Sequence, residues 1–143
     1  MDYRIRRSKA ELDSTGYVEI VPGKYSGSHW QDGALFVWED AFGMAEGLIA
    51  KHVPEYDHLA MNDIPRDVGE RITAEWREVA ARLHEMTATQ ARNALNLQTA
   101  CGDLLEAGEF ATHRGDIATM LESLAEDCDA FYQRGEWVCI LGV

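Results

Sequence analysis

The chain has 143 residues, of which 25 are acidic and 13 are basic, so its formal net charge is −12 at pH 7. The length fits one domain, residues 1–143, and an apolar content of 46% is typical of a globular protein rather than a disordered one. The charge argues against nucleic acid as a direct partner, because nucleic-acid binding depends on Lys and Arg that neutralise phosphates.

The first residues predict an arm and an intracellular location. Residues 1–16 are polar and mixed in charge, which is typical of a loose or partly helical arm. Its basic side chains either pair with the acidic remainder of the chain or serve as an interaction arm: Arg4, Arg6, Arg7 and Lys9. The arm lacks the apolar segment of a secretory signal, and no run approaches the roughly 20 apolar residues of a membrane span. We therefore expect a cytoplasmic protein that does not contact a membrane.

Two strands and a helix are predicted next. Tyr17–Val21 alternates and is rich in β-branched residues, and Ala34–Trp38 is a second apolar run, so both are expected to be strands. The glycine-rich connection allows a loose hairpin or a short extra strand at Lys24–Trp30. Glu39–His52 predicts a helix with acidic residues at its N-terminus. The stretch 53–64, bounded by prolines, is expected to be irregular.

Pro65–Met86 carries the strongest helical pattern in the chain. Its apolar residues recur at steps of three and four: Val68, Ile72, Trp76, Val79, Leu83 and Met86. This spacing places them on one face of a helix, with charged residues on the other. Trp76 lies in the middle of the stripe, so we expect it at the centre of the core, and we expect the helix to continue to about Arg92.

The C-terminal part of the chain predicts a long helix and a final strand. Residues 93–107 are ambiguous, because their leucines suggest a helix and Gly102 argues against one. Gly115–Gln133 has a helical apolar stripe, and Trp137–Leu141 is an apolar strand that needs a sheet to join. We predict an α+β fold: a small, mainly antiparallel sheet, built from two N-terminal strands and the C-terminal strand, packed against three or four helices.

Signatures of catalysis or cofactor binding are absent from the sequence. It contains no phosphate-binding loop, dinucleotide fingerprint or zinc-protease motif, and we expect no cofactor and no metal. Its three cysteines lack CxxC spacing and are expected to be buried apolar residues: Cys101, Cys128 and Cys139. One alternative is a divalent metal site in which His52 and His58 approach each other, with Asp57 or Asp63 as a further ligand.

Two loops, 25–32 and 55–63, combine aromatic and acidic side chains. Rings supply contact area and carboxylates steer and pair with cations, so such loops suit an interface with a basic protein. The alternatives are a catalytic cleft with His58 or His29 as base, and structural cover of the sheet by Trp30 and Tyr56. The candidate contact residues are Trp30, Asp32, Glu39, Asp40, Glu55, Tyr56, Asp57, His58 and Asp63.

The stretch Tyr17–Pro65 has a distinctive order of features. It reads YVEIVPGKYSGSHWQDGALFVWEDAF, then a helix, then PEYDHLAMNDIP, so that a glycine-tyrosine-serine loop, a strand, an acidic helix start and a Tyr-Asp-His segment follow one another. In this order it resembles small bacterial immunity proteins, which are encoded beside polymorphic or contact-dependent toxins and neutralise the toxin domain by direct binding. The resemblance implies an acidic cytosolic inhibitor without enzymatic activity, whose partner is a basic toxin domain such as a nuclease.

The sequence is also compatible with two other functions. A small enzyme would use the histidines and carboxylates of the two loops. An adaptor or structural subunit would present an apolar helix face to a partner, and it would show exposed apolar surface. The sequence does not indicate an oligomeric state.

Overall fold

The structure, a computed structural model, describes residues 1–97 and 108–142. These residues form five strands: β1 (Ile5–Arg6), β2 (Tyr17–Pro22), β3 (Leu35–Trp38), β4 (Met61–Pro65) and β5 (Trp137–Leu141). They also form four α-helices: α1 (Glu39–His52), α2 (Arg66–Arg82), α3 (Ala88–Ala94) and α4 (Glu109–Arg134). Short 3₁₀ turns lie at Lys9–Glu11 and Leu83–Glu85. The predicted α+β class is confirmed.

The five strands form one antiparallel sheet in the order β1-β3-β2-β5-β4. The C-terminal strand β5 lies between β2 and β4, with Ile20 opposite Ile140 on one side and Ile64 opposite Val138 on the other. The predicted pairing of the last strand with the N-terminal strands is therefore confirmed. Its interior position suits its apolar composition, since an apolar strand with an unpaired edge is a template for aggregation.

The sheet separates two apolar layers. Ile20, Val37 and Ile140 face the helices and belong to the main core, as the alternation of side chains along a strand requires. Phe36 and Cys139 point to the opposite face, where loops rather than helices cover them. We call this second side the open face. Helices packed on one side of the sheet are what the sequence predicted.

α2 provides the centre of the main core, as its apolar stripe predicted. Trp76 is 1% exposed, and its Nε1 donates a hydrogen bond of 3.0 Å to the Ala45 carbonyl oxygen of α1. The prediction that this helix continues to about Arg92 is wrong, because the helix ends at Arg82. Thr87 starts a new helix through a capping box, in which its hydroxyl accepts from Gln90 N–H and the Gln90 side chain accepts from Thr87 N–H.

Two strands were not predicted. β4 lies in the stretch that was expected to be irregular, and β1 lies in the expected arm, where Ile5 pairs opposite Val37 of β3. The possible extra strand at Lys24–Trp30 does not form. Two basic residues of the arm pair with acidic residues outside it, Arg7 with Asp127 at 2.8 Å and Lys9 with Asp32 at 3.5 Å, and Arg6 pairs with Asp2 within the arm at 2.7 Å.

The last helix was predicted in the right place but too short. α4 begins at Glu109, six residues before the predicted start, and Phe110 is buried in the main core. The ambiguous segment 93–107 is described only to residue 97, and Ala94 ends α3. Cys128 and Cys139 are buried, as expected, whereas Cys101 lies outside the described residues.

Candidate functional site

A histidine cluster joins α1 to the loop that precedes β4. His58 Nε2 lies 2.8 Å from Glu39 Oε1, and His58 Nδ1 lies 2.8 Å from both Glu46 oxygens. The two glutamates are seven residues apart on α1, so two helical turns place them on the same face. We call Glu39, Glu46 and His58 the His58 cluster.

The His58 cluster shifts the protonation of its members. Desolvation opposes the charged form of His58, but the hydrogen bonds and charges of the two carboxylates outweigh it, so the pKa of His58 is raised. Burial raises the pKa of Glu46, against the stabilising effect of His58. Protonated His58 with both ring nitrogens engaged is a poor general base, because it has no free nitrogen to accept a proton. The arrangement suits a structural contact better than catalysis.

Asn62 organises the turn before β4. Its Oδ1 accepts from Asp57 N–H at 2.9 Å, and its Nδ2 lies within hydrogen-bonding distance of the carbonyl oxygens of Asp57, Ala60 and Ile140. The side chain is 8% exposed, so these bonds satisfy a buried amide. Asp57 Oδ1 also accepts from Leu59 N–H at 2.9 Å. The turn is thus held from inside while its outer side chains face solvent.

The outer side chains of this turn and of β4 form a distinct surface. Leu59 is 72% exposed and Met61 is 54% exposed, two of the three large apolar residues that are exposed among the described residues. Glu55, Asp57 and Asp63 are exposed beside them, and none of the three forms an ion pair with a described residue. We call Glu55, Asp57, Leu59, Met61 and Asp63 the acidic edge.

The loop 25–32 lies over the open face and is anchored by a buried carboxylate. Glu19 is 2% exposed, and its two oxygens accept hydrogen bonds of 2.7 and 2.8 Å from the N–H groups of Trp30 and Gln31. These contacts hold Trp30 at a φ of 59°, in the left-handed region that is costly for a large side chain. The Trp30 ring stacks on Phe36 with centroids 5.8 Å apart. Trp30 therefore covers the sheet.

The structure brings some of the predicted contact residues together and separates others. Glu39 contacts His58, and Asp63 joins the two loops because its Oδ1 accepts from Tyr25 N–H at 2.8 Å. Trp30 and Tyr56 lie apart, since Trp30 packs on the open face and Tyr56 packs against the main core.

The remaining predicted residues differ in their surroundings. Asp40 is exposed and accepts a hydrogen bond of 3.3 Å from Trp38 Nε1. Asp32 is paired with Lys9 at 3.5 Å, although 92% of its side chain is exposed. Burial and the nearby Glu46 and Asp57 charges raise the pKa of Tyr56, whose hydroxyl is buried without a hydrogen-bond partner among the described residues.

The alternative metal site is not assembled. His52 Nε2 lies 2.8 Å from Glu75 Oε2 of α2, whereas His58 contacts α1, so the two histidines have different partners. Within residues 1–97 and 108–142, no group of three or more His, Cys, Asp or Glu side chains is arranged to hold a metal ion. In the same residues, no helix has the length and apolar character needed to cross a bilayer.

Sequence reasoning missed two residues that shape the site and did not predict the role of a third. Glu46 shares a helix face with Glu39, and this seven-residue spacing was a usable signal. Glu19 stood out only as a polar residue within an apolar strand. Asn62 was noted only as a polar residue of the loop 55–63, and its hydrogen bonds to the turn and to Ile140 form only when that loop leads into a strand paired with β5.

Comparisons with protein-family models, with curated proteins and with solved structures give no significant match for this chain. The geometry of the site is therefore the basis for inferring the function.

Proposed function

We propose that the protein is a bacterial immunity protein that acts in the cytosol by binding and masking a cognate toxin domain with a basic surface. The acidic edge carries this proposal. Leu59 and Met61 offer exposed apolar area, and the surrounding carboxylates, which form no ion pair with a described residue, attract and orient a cationic partner. This combination of apolar centre and charged surround is typical of protein interfaces.

The charge distribution of the whole chain supports the same function. Several basic residues are already engaged in ion pairs, such as Arg6 with Asp2 and Lys51 with Glu75. Part of the net charge of −12 is thus carried by carboxylates such as Asp57 and Asp63, which accept backbone hydrogen bonds but form no ion pair with a described residue. Such a field accelerates association with a basic protein and is screened by salt.

The test uses the protein encoded by the neighbouring gene in the source genome, with affinity measured by titration calorimetry. Asp57→Asn combined with Asp63→Asn removes two charges but keeps hydrogen-bond acceptors at both positions. We expect this variant to bind at least about tenfold more weakly, since each 1.4 kcal/mol of lost interaction is a factor of ten.

The matched control removes two exposed carboxylates from α4, by Glu122→Gln and Glu126→Gln. These positions neighbour Asp127, which pairs with Arg7 just after β1, so they lie towards the opposite end of the sheet. The control should bind within about threefold of the wild type. Equal losses in both variants would contradict the placement of the interface, and no binding by the wild type would contradict the function.

A further inference from the structure

β4 lies at one end of the sheet, and no strand within residues 1–97 and 108–142 pairs with its outer side. Arg66 N–H donates to the Glu136 carbonyl at 2.9 Å and Gly142 N–H donates to the Ala60 carbonyl at 2.9 Å, so the even-numbered residues exchange hydrogen bonds with β5. The backbone N–H and C=O groups of Met61 and Asp63 therefore point away from the sheet. Among the described residues, none forms a hydrogen bond with these four groups.

The opposite end of the sheet is less suited to pairing. β1 has only two residues, and the Arg6 side chain is occupied by Asp2 and by the Tyr17 ring, 4.8 Å from the guanidinium carbon. β4 has five residues, and its free backbone groups lie beside the exposed Met61 side chain. An unpaired strand edge is a template for an added strand.

We propose that the toxin domain docks by adding an extended segment to the free edge of β4. This proposal rests on the proposed function and specifies how the partner binds. The side chains of Met61 and Asp63 point to the open face, because the alternate residues Asn62 and Ile64 are buried on the other side. The added strand places an apolar side chain opposite Met61 and a Lys or Arg opposite Asp63. These two partner residues are two positions apart in the toxin segment.

Charge favours a basic toxin segment over a second copy of the chain as the partner of the β4 edge. Pairing two β4 edges would bring the carboxylates of Asp57 and Asp63 from both copies together, between proteins that each carry a net charge of −12. Like charges that face each other across strands are destabilising. A basic segment instead finds an attractive carboxylate next to free backbone donors and acceptors.

The first experiment uses a defined peptide probe, Lys-Thr-Val-Thr-Lys-Thr-Val, titrated into ¹⁵N-labelled protein and followed by NMR. Its Lys and Val side chains alternate on one face, so it offers the required pattern as an antiparallel strand, in which the N–H groups of the Lys and Val opposite Asp63 and Met61 face β4. We expect the amide signals of Met61 and Asp63 to shift. A matched peptide, N-methylated at every Lys and Val, lacks the donors that face β4 and should bind at least about tenfold more weakly. Equal binding of the two peptides, or shifts confined to other residues, would overturn the proposal.

The second experiment measures affinity for the protein of the neighbouring gene. Met61→Pro removes an outward N–H and leaves the hydrogen bonds to β5 in place, whereas Met61→Ala keeps the N–H. We expect a loss of at least about tenfold for Met61→Pro and a smaller loss for Met61→Ala. Circular dichroism establishes whether each variant is folded. If Met61→Pro is misfolded, the comparison of the two peptides tests the proposal instead.

The outcomes separate the two proposals. If the peptide pairs with β4 and the neighbouring protein does not bind, the immunity function fails and the docking edge stands. If the neighbouring protein binds and Met61→Pro has no effect, the function stands and strand addition is overturned. A concentration-dependent dimer that protects the Met61 and Asp63 amides would also overturn it, because the occupant would then be a second copy.

Discussion

At the scale of single residues, His58 joins helix α1 to the turn that carries the acidic edge. The side chain contacts Glu39 and Glu46 on successive turns of α1, while its backbone belongs to the turn that carries the acidic edge. Glu46 is the more enclosed of the two carboxylates, with 20% of its side chain exposed against 40% for Glu39. The loss of His58 would leave a half-buried carboxylate without a cation, which is costlier than losing an exposed pair.

The raised pKa of His58 predicts that stability falls as the pH rises. The folded state binds the His58 proton more tightly than the unfolded state does, so this contribution is complete below about pH 6.5 and is lost as the pH rises through the raised pKa. The raised pKa of Glu46 acts in the same direction at lower pH. Urea denaturation of the wild type from pH 6 to pH 9 should show this decline.

The variant His58→Gln should flatten the decline and reduce stability at pH 6 by on the order of 1 kcal/mol. The control is His84→Gln, since 69% of the His84 side chain is exposed and its nearest carboxylate oxygen is 3.6 Å away. The control should keep the wild-type slope. Parallel curves for the wild type and His58→Gln would show that the His58 cluster does not couple stability to pH.

At the scale of elements, the close approach of α2 to α4 fixes the start of α2 beside β4. Tyr132 of α4 donates a hydrogen bond of 3.0 Å to the Ile64 carbonyl of β4, and a Cβ at Gly69 would overlap the Tyr132 ring and hydroxyl. Only glycine therefore fits at position 69 without displacing the Tyr132 side chain. β4, α2 and α4 meet at this point, so the position of the acidic edge depends on the contact.

Two glycine-to-alanine substitutions should have opposite effects on the free energy of unfolding. Gly69→Ala forces Tyr132 out of its contact and should destabilise the protein by about 1–3 kcal/mol, as overpacking does. Gly115 is exposed within α4 and a Cβ there meets no atom within 4 Å, so Gly115→Ala should stabilise the protein by about 0.5–1 kcal/mol. Chemical denaturation measures both. A stabilising Gly69→Ala would contradict the close contact between Gly69 of α2 and Tyr132 of α4.

The elements also differ in how far the sequence predicted them. β2, β3, β5 and α1 were predicted because each carries its own apolar period, set by the burial of one or two faces. The end of α2 was mispredicted because its stripe continues through Leu83 and Met86, while the Thr87–Gln90 capping box starts a new helix. β4 was missed because Met-Asn-Asp-Ile-Pro has little strand propensity, and pairing with β5 overrides that preference.

At the scale of the whole molecule, like charge works against the compact state. Ion pairs such as Arg7 with Asp127 and Arg77 with Asp129 neutralise part of the surface, but the net charge of −12 remains. Repulsion between the remaining carboxylates is screened by salt, with a Debye length of about 10 Å at 0.1 M.

The thermal midpoint should therefore rise when sodium chloride is increased from about 10 mM to about 300 mM. The rise should be smaller in the variant that combines Asp57→Asn with Asp63→Asn, since it carries two fewer negative charges. Sucrose at matched osmolality controls for general exclusion effects, and it should not reduce the difference between the two proteins. An unchanged midpoint across the salt series would show that self-repulsion is negligible.

The sequence by itself determined the α+β class, the strands and helices with a clear apolar period, and the acidic character that argues against nucleic acid as a partner. These properties are local or additive, so they need no knowledge of which segments meet. The tertiary structure alone decided that Trp30 and Tyr56 lie on different sides of the sheet and that His58 lies between two carboxylates of α1. It also decided that β4 is a strand at one end of the sheet, whose outer edge is unpaired within the part of the chain that the structure describes. Strand pairing and ion pairing join residues distant in the chain, and their free energy exists only once the fold has brought those residues together.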